Sequence, residues 1–400
     1  MSPGGKPRLP QVSRQTLVIF AISLVSGVTS YAFNLLIDLF YGPQVLAGVL
    51  AALGAGATIG LPAALVSLPV ATWAGQAPLW RRRLPLVQAA FLAAGLVSAF
   101  AVLFFRGSFP SGWLLPVGLL VMLSSYLPAV ATGVLIGRAA FVGSAVVNML
   151  PNVGRLLGLL AIGHRASSGL GVLWVQVSSF VAFGLVGVVL PYRTRNPQAI
   201  RPVRATPWAS GWVALAVMAW LSVDVLTATL HLGASHAAGF AVLALLGKAP
   251  FYLAQPLVLM AIGDEGWGRS RLREGSLAVA VVAAGSVLLA VVVGSVAMRL
   301  MGVEEPAWLL GAYFLGTCAL ALGYLWSGAA AQRARHHWWP MLAACAIWVV
   351  WSLTAGGGVQ SLVVGYTLAQ LIGAAAAVYL GSRAQSARGS GRENPEVMAN

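Results

Sequence analysis

The chain has 400 residues, of which 59% are hydrophobic and only 8% charged, and its mean hydropathy is +0.86. This composition excludes an ordinary soluble domain and indicates an all-α integral membrane protein with many spans. The formal net charge of +15 does not indicate nucleic-acid binding, because Lys and Arg also collect in the cytoplasmic loops of membrane proteins. Cys318 and Cys345 lie in apolar runs without CxxC spacing, and we expect both to be buried apolar side chains.

Apolar runs long enough to cross a hydrocarbon core of roughly 30 Å occur at about twelve places along the chain. Prolines fall inside the second run (Pro62 and Pro69) and the eighth (Pro250 and Pro256). They predict kinks whose freed carbonyls need partners in a cavity or a neighbouring helix. The predicted transmembrane helices lie near 17–40, 43–73, 85–105, 112–136, 141–163, 169–191, 211–232, 237–263, 275–300, 306–329, 339–355 and 359–381.

Basic residues are distributed very unevenly between the two sets of loops. Of the 24 Lys and Arg, 19 fall in loops on one side of this twelve-helix scheme, 3 on the other and 2 inside the spans. The asymmetry predicts an N-in, C-in topology and a multi-pass protein of the plasma (inner) membrane. The predicted parts are an N-terminal six-helix lobe (1–192), a cytoplasmic linker (193–208), a C-terminal six-helix lobe (209–381) and a disordered cytoplasmic tail (382–400).

Three charged residues lie well inside predicted spans, away from either end, namely Arg155, Asp224 and Lys248. At 1.5 Å per residue, Asp224 and Lys248 are each about 12–18 Å from one end of their segment. Charges at such depth are costly, and they usually face a bundle interior or a wet cavity on a transport pathway. These residues are therefore the first candidates for a functional site.

The two halves of the chain show a weak internal repeat. Residues 42–48 (GPQVLAG) and 233–239 (GASHAAG) both have Gly-x5-Gly with Ala before the second Gly, in corresponding turns. Upstream, Asn34 corresponds to Asp224 with a one-residue gap. Parallel repeats of this kind predict a substrate cavity between the halves near the membrane midplane.

Three stretches carry a family resemblance: SYAFNLLIDLFYG at 30–42 and on to Gly48, NMLPNVGRLLG at 148–158, and WLSVDVL at 220–226 with the following turn to 241. They resemble the polysaccharide (O-antigen type) flippases of the MOP superfamily, relatives of the MATE exporters and lipid II flippases. The chain departs from them by having Val49 and Phe240 where the family often has Tyr. The resemblance implies a V-shaped, two-lobed bundle that works by alternating access on a lipid-linked, diphosphate-bearing glycan.

Each candidate residue has a functional and a structural interpretation. Arg155 has a planar five-donor fork suited to a diphosphate, but it could equally bridge helices. Asn148 and Asn152 share a helix face and either extend a polar, substrate-binding lining, as Asn34 would, or hold helices together. For Asp224 and Lys248 we predict an ion pair.

That central pair is either purely structural or a coupling site for H⁺ or Na⁺. No cofactor and no metal site are predicted.

No catalytic motif is found in the sequence, including the P-loop, HExxH and GxSxG patterns, so we predict a transporter and not an enzyme. The leading hypothesis is a secondary transporter that flips a lipid-linked (polyprenyl-diphosphate) oligosaccharide for cell-surface polysaccharide biosynthesis. The alternative is a MATE-like, ion-coupled exporter of small molecules. Expected partners are the anionic lipid-linked glycan, membrane lipids and proteins of glycan assembly, without nucleic acid.

Overall fold

The computed structural model describes a little over half of the chain. Nothing is described for the third predicted span, and only parts of the second, fourth, eighth and ninth are described. The described residues are 14–42, 45–46, 49–50, 124, 128–136, 140–163, 169–193, 207–232, 234–252, 254–255, 258, 272, 275–277, 279–281, 284–285, 295–300, 305–332, 339–354 and 358–389.

The elements in the described ranges are helices. In chain order they are α1 (Arg14–Tyr41), α2 (Phe141–Ile162), α3 (Gly169–Arg193), α4 (Pro207–His231), α5 (Ala234–Gly247), α6 (Ser295–Leu300), α7 (Ala307–Gln332), α8 (Pro340–Thr354) and α9 (Val359–Gly389). A membrane-spanning chain must satisfy its backbone polar groups within its own segments, and helices do so.

Four helices in the described part of the chain are long and apolar enough to cross a membrane: Ala21–Tyr41, Phe141–Ile162, Ala307–Ala331 and Val359–Arg383. Shorter apolar helices occur at Gly171–Phe183, Trp212–Val225, Gly239–Tyr252 and Pro340–Ser352. All eight coincide with predicted spans, so the all-α membrane class is confirmed.

The helices pack in two groups that share one apolar core. In the N-terminal half (residues 1–192), α2 packs between α1 and α3; in the C-terminal half (residues 209–381), α7 packs along α9 and also contacts α4, α5 and α8. In the most apolar 18-residue stretch of α7, 72% of the residues are buried, whereas in that of α1 only 17% are buried. Helix α7 is therefore the central helix of its half, whereas α1 leaves apolar side chains such as Val28 and Leu39 on a surface suited to lipid.

Two helix ends differ from the sequence prediction. The last helix continues to Gly389, so the predicted disordered tail 382–400 begins as helix, because the residues after Gly381 include the good helix formers Arg383, Ala384 and Gln385. Within the predicted span 237–263, the regular helix α5 ends at Gly247, Lys248 lies on a turn just before Pro250, and the backbone is helical again at residues 249–252. Proline cannot donate the backbone hydrogen bond of a regular helix, which accounts for the break.

Contacts between helix ends agree with the alternation that twelve spans require. The hydroxyl of Tyr41, at the end of α1, donates to the carbonyl of Gly163, at the end of α2. His236 Nδ1, near the start of α5, lies 4.0 Å from Glu305 Oε1, just before α7. The first and fifth predicted spans thus end on one side, and the eighth and tenth begin on one side.

Cysteine labelling of intact cells tests the absolute orientation. We expect Cys placed at Ser2 and Ser390 to be reached only after permeabilisation and Cys placed at Ser235 to be reached from outside, because of the Lys and Arg asymmetry. The native Cys318 and Cys345 are buried, which limits background labelling. Labelling of the two termini on opposite sides would rule out an even number of spans.

Candidate functional site

A buried guanidinium lies between α1, α2 and α3 in the N-terminal half. Arg155 of α2 is only 7% exposed. Its Nη1 donates to Gln176 Oε1 of α3 at 3.0 Å, and its Nη2 donates to Ser30 Oγ of α1. The guanidinium also lies over the ring of Phe33, 4.8 Å from its centre. Arg155 Nε has no hydrogen-bond partner among the described residues, so the cation is held by neutral groups with donor capacity left.

A polar seam continues from Arg155 along the α1–α2 contact. Asn152 Nδ2 donates to Ser26 Oγ of α1 at 2.8 Å and to the backbone of Asn148 at 3.2 Å. The side chain of Asn148 is exposed and accepts from Thr132 at 3.1 Å. Asn34 is buried; its Nδ2 donates to the Ser30 carbonyl at 3.0 Å, and its Oδ1 has no partner in the described part of the chain.

The C-terminal half contains a buried ion pair whose carboxylate has a second donor. Lys248 Nζ lies 2.9 Å from both carboxylate oxygens of Asp224, and the hydroxyl of Tyr313 in α7 donates to Asp224 Oδ2. Asp224 is 1% and Lys248 6% exposed. The predicted pair is therefore present, and the carboxylate is held from two helices at once.

Aromatic rings from α4, α7, α8 and α9 form a cluster that contacts this ion pair through Tyr313. Tyr313 stacks on Tyr366 with ring centres 4.5 Å apart, and Trp220 stacks on Trp348 at 5.1 Å. Tyr366 also meets both tryptophans edge-on. Such rings keep the local dielectric low, which strengthens the attraction within the pair and raises the penalty for separating it.

Side chains from other helices donate to carbonyls beside this turn, where Pro250 leaves the Leu246 carbonyl without its regular backbone donor. Tyr31 of α1 donates to the Leu245 carbonyl at 2.7 Å and approaches that of Leu246 at 3.4 Å. Thr317 of α7 donates to the Gly247 carbonyl at 2.8 Å. Carbonyls close to Pro250 are thus hydrogen-bonded by two neighbouring helices, one of them from the opposite half.

Gly247 allows α5 to approach α7 closely enough to position Tyr313. A Cβ at this position would lie 2.3 Å from the Tyr313 ring. We expect Gly247→Ala to lower the free energy of unfolding by about 1–3 kcal/mol, as overpacking does, and to displace the Tyr313 hydroxyl from Asp224. Thermal unfolding in detergent measures the effect. Gly311→Ala in α7, where a Cβ meets nothing within 4 Å, is the matched control and should leave stability equal or higher.

The predicted candidates fall into two groups in the structure. Arg155, Asn152 and Asn34 lie along the α1–α2 seam, with Asn148 at its exposed edge, whereas Asp224 and Lys248 form the separate central pair. Ser30, Gln176, Tyr31 and Tyr313 were not predicted from the sequence as site residues. The amide of Gln176, in a largely apolar run, is the one sequence feature that could have indicated its residue. Within the described ranges no three His, Cys, Asp or Glu side chains group as metal ligands.

Comparison with solved structures identifies the fold. An outward-facing MATE transporter of the MOP superfamily is 13% identical, with 94% of this chain and 95% of that chain covered and a TM-score of 0.60. A eukaryotic MATE transporter is 12% identical over 92% and 96%, with a TM-score of 0.61. A MOP superfamily transporter from Pyrococcus furiosus, described as having a binding pocket of reverse polarity, is 16% identical over 93% and 94%, with a TM-score of 0.55.

No family model matches the chain, and no curated protein matches it in sequence. In each comparison the similarity covers nearly the full length of both chains. The sequence identities are low, so the similarity defines the fold alone. The chain therefore has the all-α membrane fold of the MOP superfamily transporters, a class that includes the MATE transporters.

Proposed function

We propose that this protein is a secondary transporter that flips a lipid-linked (polyprenyl-diphosphate) oligosaccharide across the plasma membrane by alternating access. Its fold supports transport over enzymatic chemistry, since the compared proteins with this fold are described as transporters. The observation that carries the choice of an anionic substrate is Arg155, a buried cation without a carboxylate partner in the described part of the chain.

The balance of buried charge favours an anion. Three charged side chains are buried among the described residues, and two of them, Asp224 and Lys248, neutralise each other at 2.9 Å. The remaining one is Arg155, whose positive charge is compensated by no acidic side chain that the structure describes. A cation in a low-dielectric setting attracts an anionic group strongly, and a substrate diphosphate would provide the missing charge.

The geometry around Arg155 suits a diphosphate. Ser30 and Gln176 orient the guanidinium from two helices while leaving its remaining donors for a ligand. A planar fork binds phosphate oxygens in pairs, which a point charge does not. The polar seam with Asn152 extends from this position along α1 and α2.

A second candidate function is a MATE-like, ion-coupled exporter of small molecules. The observation that favours it is the full-length similarity to MATE transporters. An organic cation would need an uncompensated buried carboxylate, and Asp224 is already occupied by Lys248 and Tyr313. We therefore place the exporter second.

Reconstitution into proteoliposomes tests the choice between these functions. We expect the wild-type chain to move a fluorescent polyprenyl-diphosphate oligosaccharide from one leaflet to the other and not to transport a cationic dye. Protein-free liposomes and the same lipid carrying a neutral linkage in place of the diphosphate are the controls. Transport of the dye with no movement of the glycolipid would overturn the flippase in favour of the exporter.

A further inference from the structure

The apolar core that joins the two halves draws on one end of the N-terminal half, the end where the Tyr41 hydroxyl bonds to the Gly163 carbonyl. At 1.5 Å per residue, the core members on α1, α2 and α3 lie within about 12 Å of that end. The N-terminal members of this core are Phe33, Ile37, Leu46, Val49, Leu50, Leu159, Val172 and Leu173. Toward the opposite end, Ala131, Leu135 and Val147 form a separate buried cluster. Among the described residues, the shared core thus joins the halves at the Tyr41 end.

The burial of α1 changes along its length at the border of this core. Phe33, Asn34 and Ile37 are buried, whereas none of the residues 21–32 is buried. The part of α1 nearer Arg14 therefore packs less tightly than the part nearer Tyr41. Phe33 is the first residue of α1 that belongs to the shared core.

A hydrogen bond between the halves lies at this border. The Tyr31 hydroxyl donates to the Leu245 carbonyl of α5 at 2.7 Å and lies 3.4 Å from the Leu246 carbonyl. Tyr31 is ten residues before Tyr41 and Leu245 is eleven after the start of α5, so both lie about 15–17 Å from the same end of the bundle. The bond therefore connects the two halves at one depth, where the shared core ends.

This contact is chemically suited to being made and broken. It joins one neutral hydroxyl to backbone carbonyls, and Pro250 leaves the Leu246 carbonyl without its regular backbone donor. Water that enters an opened cleft can donate to the same carbonyls, so the net contribution of the bond is small. The Asp224–Lys248 pair, by contrast, lies within the C-terminal half and need not separate when the halves move.

We propose that Tyr31 is a gate residue: its bond to α5 holds the halves together at the Tyr41 end, and this end opens when the bond breaks. The Lys and Arg asymmetry predicts that this end faces the outside, so the contact closes the external side of the cleft. The inference rests on the alternating access of the proposed function and not on the identity of the substrate. Ser30, the residue before Tyr31, accepts from Arg155, so an anion bound by Arg155 acts one residue away from the gate.

Distance measurements by double electron–electron resonance on the full chain in nanodiscs test this assignment. Spin labels at Leu39→Cys and Trp308→Cys report the separation of the halves at the Tyr41 end. Labels at Val18→Cys and Tyr379→Cys report it at the other end. All four native side chains are exposed, and the two native cysteines are buried and should stay unlabelled.

Tyr31→Phe keeps the ring and removes the hydroxyl. We expect it to raise the population with a long Leu39–Trp308 distance about fivefold, the shift that loss of one hydrogen bond produces, and to shorten the Val18–Tyr379 distance. Tyr41→Phe is the matched control, because it also removes a hydroxyl that donates to a backbone carbonyl, but within one half. It should change neither distance, and each variant should keep the thermal unfolding midpoint of the wild type.

The assignment of Tyr31 is overturned if Tyr31→Phe leaves both distances as in the wild type, or if Tyr41→Phe shifts them equally. It is also overturned if Tyr31→Phe lengthens both distances, since the contact would then only hold the bundle together. In each of these cases alternating access still stands if the lipid-linked glycan shifts the distances of the wild type. Wild-type distances that stay fixed with and without the glycan would contradict the proposed function itself, and the gate with it.

Discussion

Arg155→Ala is expected to reduce flipping of the lipid-linked glycan roughly a hundredfold, because the substrate loses charge-assisted hydrogen bonds of about 1.5–3 kcal/mol each. The protein should still insert and accumulate. Its partners Ser30 and Gln176 are neutral, so removing the guanidinium leaves no uncompensated buried charge behind. Flipping in proteoliposomes and protein level in membranes are measured together.

Arg155→Lys should restore flipping only in part, since an ammonium keeps the charge but not the planar fork. Gln176→Ala separates the substrate role from a helix-bridging role. If Arg155 acts only as a bridge, Gln176→Ala and Arg155→Ala should lower the thermal stability and the flipping rate by similar amounts. Full flipping by the Arg155→Ala variant would reduce Arg155 to a packing residue and remove the main support for an anionic substrate.

The central ion pair could be predicted from the sequence because the physics leaves few alternatives. Asp224 and Lys248 are opposite charges on consecutive spans joined by a short turn, and at that depth water is not available to either. The structure confirms the pair at 2.9 Å. The membrane class was predictable for a similar reason, since apolar runs of spanning length have no other stable environment than lipid or protein.

Partners that are distant in sequence could not be predicted. Tyr313 reaches Asp224 across 89 residues, and Tyr31 reaches Leu245 across 214. Membrane helices are apolar on most sides, so periodicity does not tell which face meets which neighbour. From the sequence alone, a tyrosine in such a helix looks like any other apolar ring, because the partner of its hydroxyl depends on how the helices pack. For the same reason the sequence grouped Asn148 with Asn152, although Asn152 bonds to Ser26 of α1 and Asn148 accepts from Thr132.

Replacing either member of the central pair alone is expected to destabilise the protein by about 3–5 kcal/mol, because it leaves the other charge buried without compensation. Asp224→Asn leaves the Lys248 ammonium buried among aromatic rings without its counter-charge. Lys248→Met leaves the Asp224 carboxylate with the neutral Tyr313 hydroxyl as the donor that the structure describes. Both single variants should accumulate poorly and unfold at lower temperature. The double variant should recover most of the stability, since Asn still accepts from Tyr313 and Met still fills the volume of the lysine stem.

Flipping by the double variant decides whether the pair is structural or couples transport to an ion. Lys248 and Tyr313 both bond to the Asp224 carboxylate, which is almost inaccessible, and this favours a structural pair. We therefore expect the double variant to flip the glycolipid at a rate close to wild type. Thermal unfolding and flipping are measured on the wild type, both single variants and the double variant. The double-mutant cycle then gives the interaction energy and the activity from the same samples. A double variant that is stably folded yet inactive would show instead that the Asp224 carboxylate binds the coupling ion, because H⁺ needs a titratable group and Na⁺ a negative charge, and the Asn variant offers neither.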